Sequence, residues 1–191
     1  MKNLIVITDS GEFDLDQWNR SDRNYDLVKI QWNRPGAYNE GPLKNIYQYF
    51  KEYGLGDYDY YWFPDDDLEF KEQNAFFDYV ASHKFDLCQP SLTADSIINH
   101  EFLRHQGSEF RKVPFVELMC PCFTRKALTE LLWTFDLNHS GYGVDILWGE
   151  GIVIDRFQIR HSRPQQMTKI AKKMDWPDPQ DELKKIEERY L

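Results

Sequence analysis

Positive charge is scarce in this chain of 191 residues. Lys and Arg together number 23 against 32 Asp and Glu, giving a formal net charge of -9 and a sequence pI near 5.0. Such a balance argues against an extended footprint on the phosphates of DNA or RNA and against docking on an anionic membrane, both of which draw on clustered Lys and Arg. It leaves room for a small nucleotide whose phosphates are bridged by a metal, and for a modified nucleobase as acceptor. Cysteine is nearly absent: Cys88, Cys120 and Cys122 form an odd, sparse set that suggests no disulfide framework. Cys120-Pro121-Cys122 lacks the second paired cluster of a zinc site and reads as small buried hydrophobes. No apolar run approaches the length of a membrane span, and the first nine residues read as a strand rather than a signal peptide. The expected location is therefore cytoplasmic. Repeats, low-complexity tracts and a clear linker are also missing, so one domain is expected.

What the chain has in abundance is aromatic side chains, 16% of residues, and carboxylates. The two meet in 58–68, where an aromatic run rich in strand formers ends in Pro64 and three successive acids, Asp65, Asp66 and Asp67. The run predicts a buried central strand. Its carboxyl end is where open α/β sheets place their ligands. Three adjacent carboxylates repel one another, and a hard divalent cation would relieve that repulsion. An acidic surface turn capping the next helix is an equal reading of this stretch alone.

Around this strand the pattern alternates. Strands are predicted at 4–8, 26–32, 85–92 (interrupted at Pro90) and 152–159, with His161 just beyond the last. A single bent strand is predicted over 113–123. Arg34-Pro35-Gly36 breaks the chain, and Pro42 opens a helix ended by Gly54. Further helices are predicted over 71–82, from an N-cap at Thr124 through Phe135, over 145–148, and from Asp178-Pro179 to Tyr190. The region 93–111 reads as a loop with a short helix at 97–103. Strands alternating with helices predict an α/β domain with a largely parallel sheet.

Three elements could converge: the acids after the central strand, the turn Gly141-Tyr142-Gly143-Val144-Asp145, and the strand ending near His161. Each alone has a plain structural reading, Asp145 as a helix cap and His161 as a surface or hydrogen-bonded residue. Together they offer two acids and an imidazole for one metal, with a further carboxylate free to act as a base.

This ordered set resembles the metal-dependent glycosyltransferases of GT-A fold. More closely, it is similar to a bacterial and plant family of glycosyltransferase-like domains of unknown function. The resemblance rests on 58–68 (YDYYWFPDDDL), 87–96 (LCQPSLTADS), 115–125 (FVELMCPCFTR), 140–148 (SGYGVDILW) and 154–164 (IDRFQIRHSRP). Tyr142 stands where the pattern usually has Trp, and the chain is short for such an enzyme. The resemblance implies a single GT-A-like α/β domain with a central, mostly parallel mixed sheet flanked by helices. Residues 1–56 would form the nucleotide-binding part, 57–165 the metal, donor and acceptor site, and 166–191 a helical tail. It implies transfer of a sugar from a nucleoside-diphosphate sugar, UDP being favoured, to an acceptor hydroxyl, with Mn²⁺ or Mg²⁺ as cofactor.

The roles it implies are residue by residue. Asp67 and His161 would hold the metal, Asp65 the metal or the donor ribose, Asp66 the donor sugar or a residue behind the metal ligands, and Asp145 would be the base of an inverting reaction. Asp9, Ser10, Trp32 and Lys44 lie where the nucleotide is expected, and a turn residue or solvated helix face is as good a reading of each. Gln89, Ser91 and Glu117 would meet the acceptor, an ion pair being an equal reading of Glu117. Gly141 and Gly143 would let backbone approach the sugar, and Tyr142 and Trp148 would stack on it. Two other functions compete. One is a non-catalytic carbohydrate- or metal-binding module on a degenerate transferase fold. The other is a haloacid-dehalogenase-like phosphohydrolase with Asp9 as nucleophile, although Gly11 stands where that motif needs a second acid.

Overall fold

The computed structural model describes residues 1–32, 40–161 and 167–191. The Arg34-Pro35-Gly36 break and the end of the 154–164 motif lie outside the described residues. Eight strands form one sheet: β1 (Asn3–Asp9), β2 (Tyr25–Gln31), β3 (Tyr60–Trp62), β4 (Leu68–Glu69), β5 (Leu87–Leu92), β6 (Arg111–Val113), β7 (Cys122–Thr124) and β8 (Gly151–His161). Their order is β2-β1-β3-β7-β5-β8-β4, with β6 also on β8. β1 pairs in parallel with β2 and β3, and β5 with β8, while β7, β4 and β6 run antiparallel to their neighbours. Thus β2, β1, β3, β5 and β8 share one direction. The flanking helices are α1 (Pro42–Tyr53), α2 (Gln73–His83), α3 (Arg125–Leu131), α4 (Met167–Met174) and α5 (Pro179–Tyr190). This is the mixed α/β, GT-A-like architecture, with a mostly parallel sheet.

The direction of the strands fixes where chemistry can gather. The carboxyl ends of β1, β2, β3, β5 and β8 lie on one edge of the sheet. The segment that enters the antiparallel β7 lies on that same edge. β3 is only three residues long, yet it is central because it is aromatic and wholly buried. Trp62 is packed against Trp18 at 5.4 Å, Phe76 at 4.4 Å and Phe77 at 5.8 Å between ring centroids. Its Nε1 donates to the Cys120 carbonyl at 2.9 Å, so the indole is buried without losing its polar partner.

Several elements differ from the sequence expectation. The segment 113–123 is not one bent strand but the separate strands β6 and β7, with irregular chain between them. β4 has two residues, too few to leave a pattern. The tail holds α4 as well as α5. The helix from Thr124 keeps the expected cap, with the Ala127 amide donating to the Thr124 hydroxyl, but gives way to a 3-10 turn at Leu132–Asp136. His161 is the last residue of β8, opposite Leu68, not beyond the strand.

Pro90 does not end β5. The register instead shifts after it, from Pro90 opposite Ile154 to Ser91 opposite Gln158, leaving residues 155–157 bulged out of β8. Asp155, fully covered in its side chain, anchors this bulge. It accepts from Ser108 Oγ at 2.6 Å and from Arg111 Nε at 3.1 Å. Burial pushes the Asp155 carboxyl up, but Ser108 and Arg111 outweigh it and hold the group below its ordinary range. The bulge sets the course of the last turn of strand that carries His161. Removing one partner of a buried ion pair is expected to cost about 3 kcal/mol. Asp155→Ala should therefore lower unfolding stability by about that amount in urea titration, and a loss under ~0.5 kcal/mol would contradict the anchoring role.

Candidate active site at the carboxyl edge

The β3–β7 pairing continues past the strands. The Phe63 amide donates to the Pro121 carbonyl at 3.0 Å, and the Asp65 amide to the Met119 carbonyl at 2.7 Å. The acid loop 65–67 is thereby laid beside the chain that carries Glu117, Leu118 and Met119. Two cavities open here. The first, of 120 Å³, is lined by Asp65, Asp66, Asp67 and His161, and by Trp32 and Pro42 across from them. The second, of 310 Å³, is lined by Asp145, Phe115 and His100, and by Gln180 and Leu183 of α5. Asn99, Glu117, Leu118 and Tyr142 belong to both and form the wall between them.

In the first cavity His161 Nε2 lies 3.4 Å from Asp67 Oδ2. Its Nδ1 lies 3.0 Å from the Ile97 carbonyl, which can only accept, so Nδ1 carries the proton. That leaves Nε2 toward Asp67, the arrangement a metal-bound imidazole uses when a backbone carbonyl fixes its tautomer. Burial works against a charge on this ring, but Asp67 and the Ile97 carbonyl overcome it and raise its affinity for a proton. Asp65 is pushed well above the usual carboxylate range, first by desolvation and then by the charges of Asp67, Asp66 and Glu117. Asp66 is raised to about 6 by burial, against the pull of Ser10. Its Oδ2 accepts from the Ser10 amide at 2.7 Å and the Ser10 hydroxyl at 2.6 Å, tying the end of β1 to the acid loop.

Among the described residues, no three or more His, Cys, Asp or Glu side chains form a group that could hold a metal ion alone. The donor set still suits a hard cation that takes only one or two protein ligands and completes its shell from phosphate oxygens, as Mg²⁺ commonly does. Asp67 and His161 are the adjoining pair, and Asp65 lines the same cavity.

In the second cavity Asp145 begins a 3-10 turn and is buried. Its Oδ1 accepts from the Ile146 amide at 3.1 Å and its Oδ2 from the Leu118 amide at 3.4 Å. Burial, then the charge of Glu117, raise its carboxyl to about 7 despite those amides. Glu117 is only 6% exposed. Its amide donates to Gln89 Oε1 at 2.6 Å and its Oε1 accepts from Asn99 at 3.2 Å, while Oε2 has no hydrogen-bond partner among the described residues. Burial raises its carboxyl above the ordinary range.

Other expected site residues stand elsewhere. Lys44 pairs with Glu40 at 3.6 Å on α1, and Asp9 turns back to accept from the Gly11 amide at 2.7 Å. Neither lines these cavities. Ser91 sits at the β5 register shift, bonding the Phe157 carbonyl at 3.2 Å. Gln89 acts on the site only by holding Glu117. Trp148 is core: it packs on Phe123 at 5.2 Å and donates to Thr134 Oγ1 at 2.9 Å, so its ring offers no face to either cavity. Gly143 lines the second cavity, and at its φ of +81° a Cβ would lie 2.8 Å from Leu183 Cδ1, so its bareness lets α5 close in beside that cavity. Gly141, at φ +80°, meets Leu118 and Leu43 in the same way at 3.3 Å. Trp32, Tyr142 and Gly143 do line cavities. Sequence reasoning missed Asn99, His100, Phe115 and Gln180. Only the 115–125 motif hinted at Phe115, and nothing local marks α5 as a wall.

Asp145 supplies a check. Its carboxyl binds a proton more tightly folded than unfolded, so its unfavourable contribution grows from about pH 4, where the unfolded chain ionises, to about pH 7, where the folded protein does. Asp145→Asn should therefore raise stability by about 2 to 4 kcal/mol at pH 8 and by little at pH 4. Equal effects at both pH values in urea titrations would contradict the burial of an ionisable group there.

Comparison with protein-family patterns and with curated protein sequences finds no match. Solved structures do share the fold. A197 from STIV superposes with a TM-score of 0.52 at 14% identity, over 86% of this chain and 87% of that one. S. aureus TarS 1-349, a glycosyltransferase, superposes with a TM-score of 0.52 at 11% identity, over 91% of this chain and 64% of that one. At such identities the likeness is one of fold. No helix among the described residues is long and apolar enough to cross a membrane.

Proposed function

We propose that this domain is a metal-dependent glycosyltransferase that moves a sugar from a nucleoside-diphosphate sugar, UDP being the favoured nucleotide, to an acceptor hydroxyl. The observation that carries the reading is the pair of abutting cavities on the carboxyl edge. One presents Asp67 beside His161, the other Asp145, and they share the wall of Glu117, Leu118, Tyr142 and Asn99. A transferase needs this division: a place for the leaving diphosphate and, next to it, a place for the incoming hydroxyl. The GT-A-like fold supports the same reading.

Asp67 and His161 would hold Mn²⁺ or Mg²⁺, with Asp65 beside them. Such an ion supplies charge neutralisation for the departing diphosphate. Ser10 donates twice to Asp66 and so ties the acid loop to the end of β1. Trp32 lines this cavity with its ring stacked on Trp176 at 6.5 Å, and its Nε1, which has no partner among the described residues, is a donor the nucleotide could use. In the second cavity Asp145 takes the acceptor proton. The acceptor oxygen bonds the anomeric carbon as that carbon's bond to the diphosphate oxygen breaks, and the electron pair leaves with the diphosphate. A base on the face opposite the leaving group implies inversion. A carboxyl titrating near neutrality is well matched to general-base work at physiological pH.

Asp145→Asn should bind UDP with Mn²⁺ as the parent does and lose transfer by about 10²-fold or more, the range for a missing general base. Full turnover in that variant would remove Asp145 from the role. Asp67→Ala and His161→Ala should each weaken Mn²⁺-dependent UDP binding in calorimetry, and unaltered titrations would move the metal elsewhere. A non-catalytic binding module would instead bind nucleotide or sugar and show no turnover in any variant.

A further inference from the structure

Glu117 and Asp145 share the second cavity, and among the described residues no Lys or Arg lines it. Glu117 is 6% exposed and its Oε2 has no hydrogen-bond partner among the described residues, so a ligand that donates to this carboxyl would relieve the cost of burying it. The other walls are the rings of Phe115 and Tyr142 and the imidazole of His100, whose ring lies on Phe102 at 5.3 Å and edge-on to Phe115 at 5.0 Å. Among the described residues that line this cavity, His100 is the only basic side chain. A neutral polyol would satisfy the hydrogen bonds but would bring no countercharge to two carboxyl groups whose ionised forms burial disfavours, whereas a cation would favour them. A ligand that brings a positive charge meets both needs, and aromatic faces add to its attraction.

We propose that the 310 Å³ cavity takes a ligand bearing a primary ammonium group, which donates to the Glu117 carboxylate while the aromatic walls enclose its carbon frame. Under the transferase reading, on which only the word acceptor rests, the acceptor is then an amine-bearing molecule. Its ammonium is held by Glu117 and a neighbouring hydroxyl is left to Asp145. Gln180 of α5 is placed to add a hydrogen bond from the far wall.

The test is calorimetric binding to the whole chain without nucleotide, using matched probes: glucosamine against glucose, and 1,5-diaminopentane against 1,5-pentanediol. The expected result is that at least one amine binds ten times or more tighter than its neutral twin. Glu117→Gln, which keeps the side chain's shape, should erase that preference, with an unchanged circular-dichroism spectrum showing that the variant is folded. Equal affinity for amine and neutral twin, no binding by either amine, or a preference that survives Glu117→Gln would each overturn the proposal. Titration with UDP and Mn²⁺ is run in parallel. Amine binding without nucleotide binding would sink the transferase reading alone, and nucleotide binding without amine preference would sink this inference alone.

Discussion

The antiparallel pairing of β3 with β7 is the contact on which the rest of the site depends. Only three residue pairs make it, from Tyr60 opposite Thr124 to Trp62 opposite Cys122. Two further backbone bonds extend it, from Phe63 to Pro121 and from Asp65 to Met119. Those bonds lay the acid loop alongside Glu117–Met119 and so create the wall common to both cavities. A ladder this short would be weak alone. It holds because Trp62 is clamped among Trp18, Phe70, Phe76 and Phe77, and because its indole N–H reaches the Cys120 carbonyl across the pair. The aromatic wealth of the sequence is therefore used chiefly to secure the place where the carboxylates are crowded.

That crowding is an electrostatic load. Asp65, Asp66, Glu117 and Asp145 all titrate above their ordinary ranges, with burial as the leading cause in each case. Carboxyl groups so arranged work against folding near neutral pH, and domains carry such features at sites that bind charge. The proposed occupants, a divalent cation with its diphosphate in one cavity and an ammonium-bearing acceptor in the other, would each remove part of the load. The distribution of charge and the proposed chemistry are thus one argument.

Much of this was legible from residue patterns because the relevant signals are local. An apolar run ending in acids gave β3 and its loop, Pro42 and Gly54 bounded α1, and Asp178-Pro179 opened α5 with the Asp178 side chain accepting from the Gln180 amide. Strand direction then put Asp67 and His161 on one edge, and the fold brings them to 3.4 Å. What stayed hidden depends on tertiary contact. Trp148 has the composition of a stacking platform but is enclosed by Phe123 and Phe135, and aromatic identity alone does not separate the two. Gly143 is bare for the sake of Leu183, forty positions on. The β8 bulge, the two-residue β4 and the division of 113–123 leave no periodic trace.

The carboxyl edge is proposed to bind a nucleoside diphosphate and a divalent cation together. The most direct test is thermal unfolding of the intact chain against a panel of nucleoside diphosphates, each with and without Mn²⁺. A ligand at about a hundred times its dissociation constant adds roughly 2.7 kcal/mol, several degrees for a domain of this size. The predicted result is a rise that requires one diphosphate, UDP first, and Mn²⁺ at once. The same melting temperature with every combination, or a rise with nucleotide that ignores the metal, would contradict it.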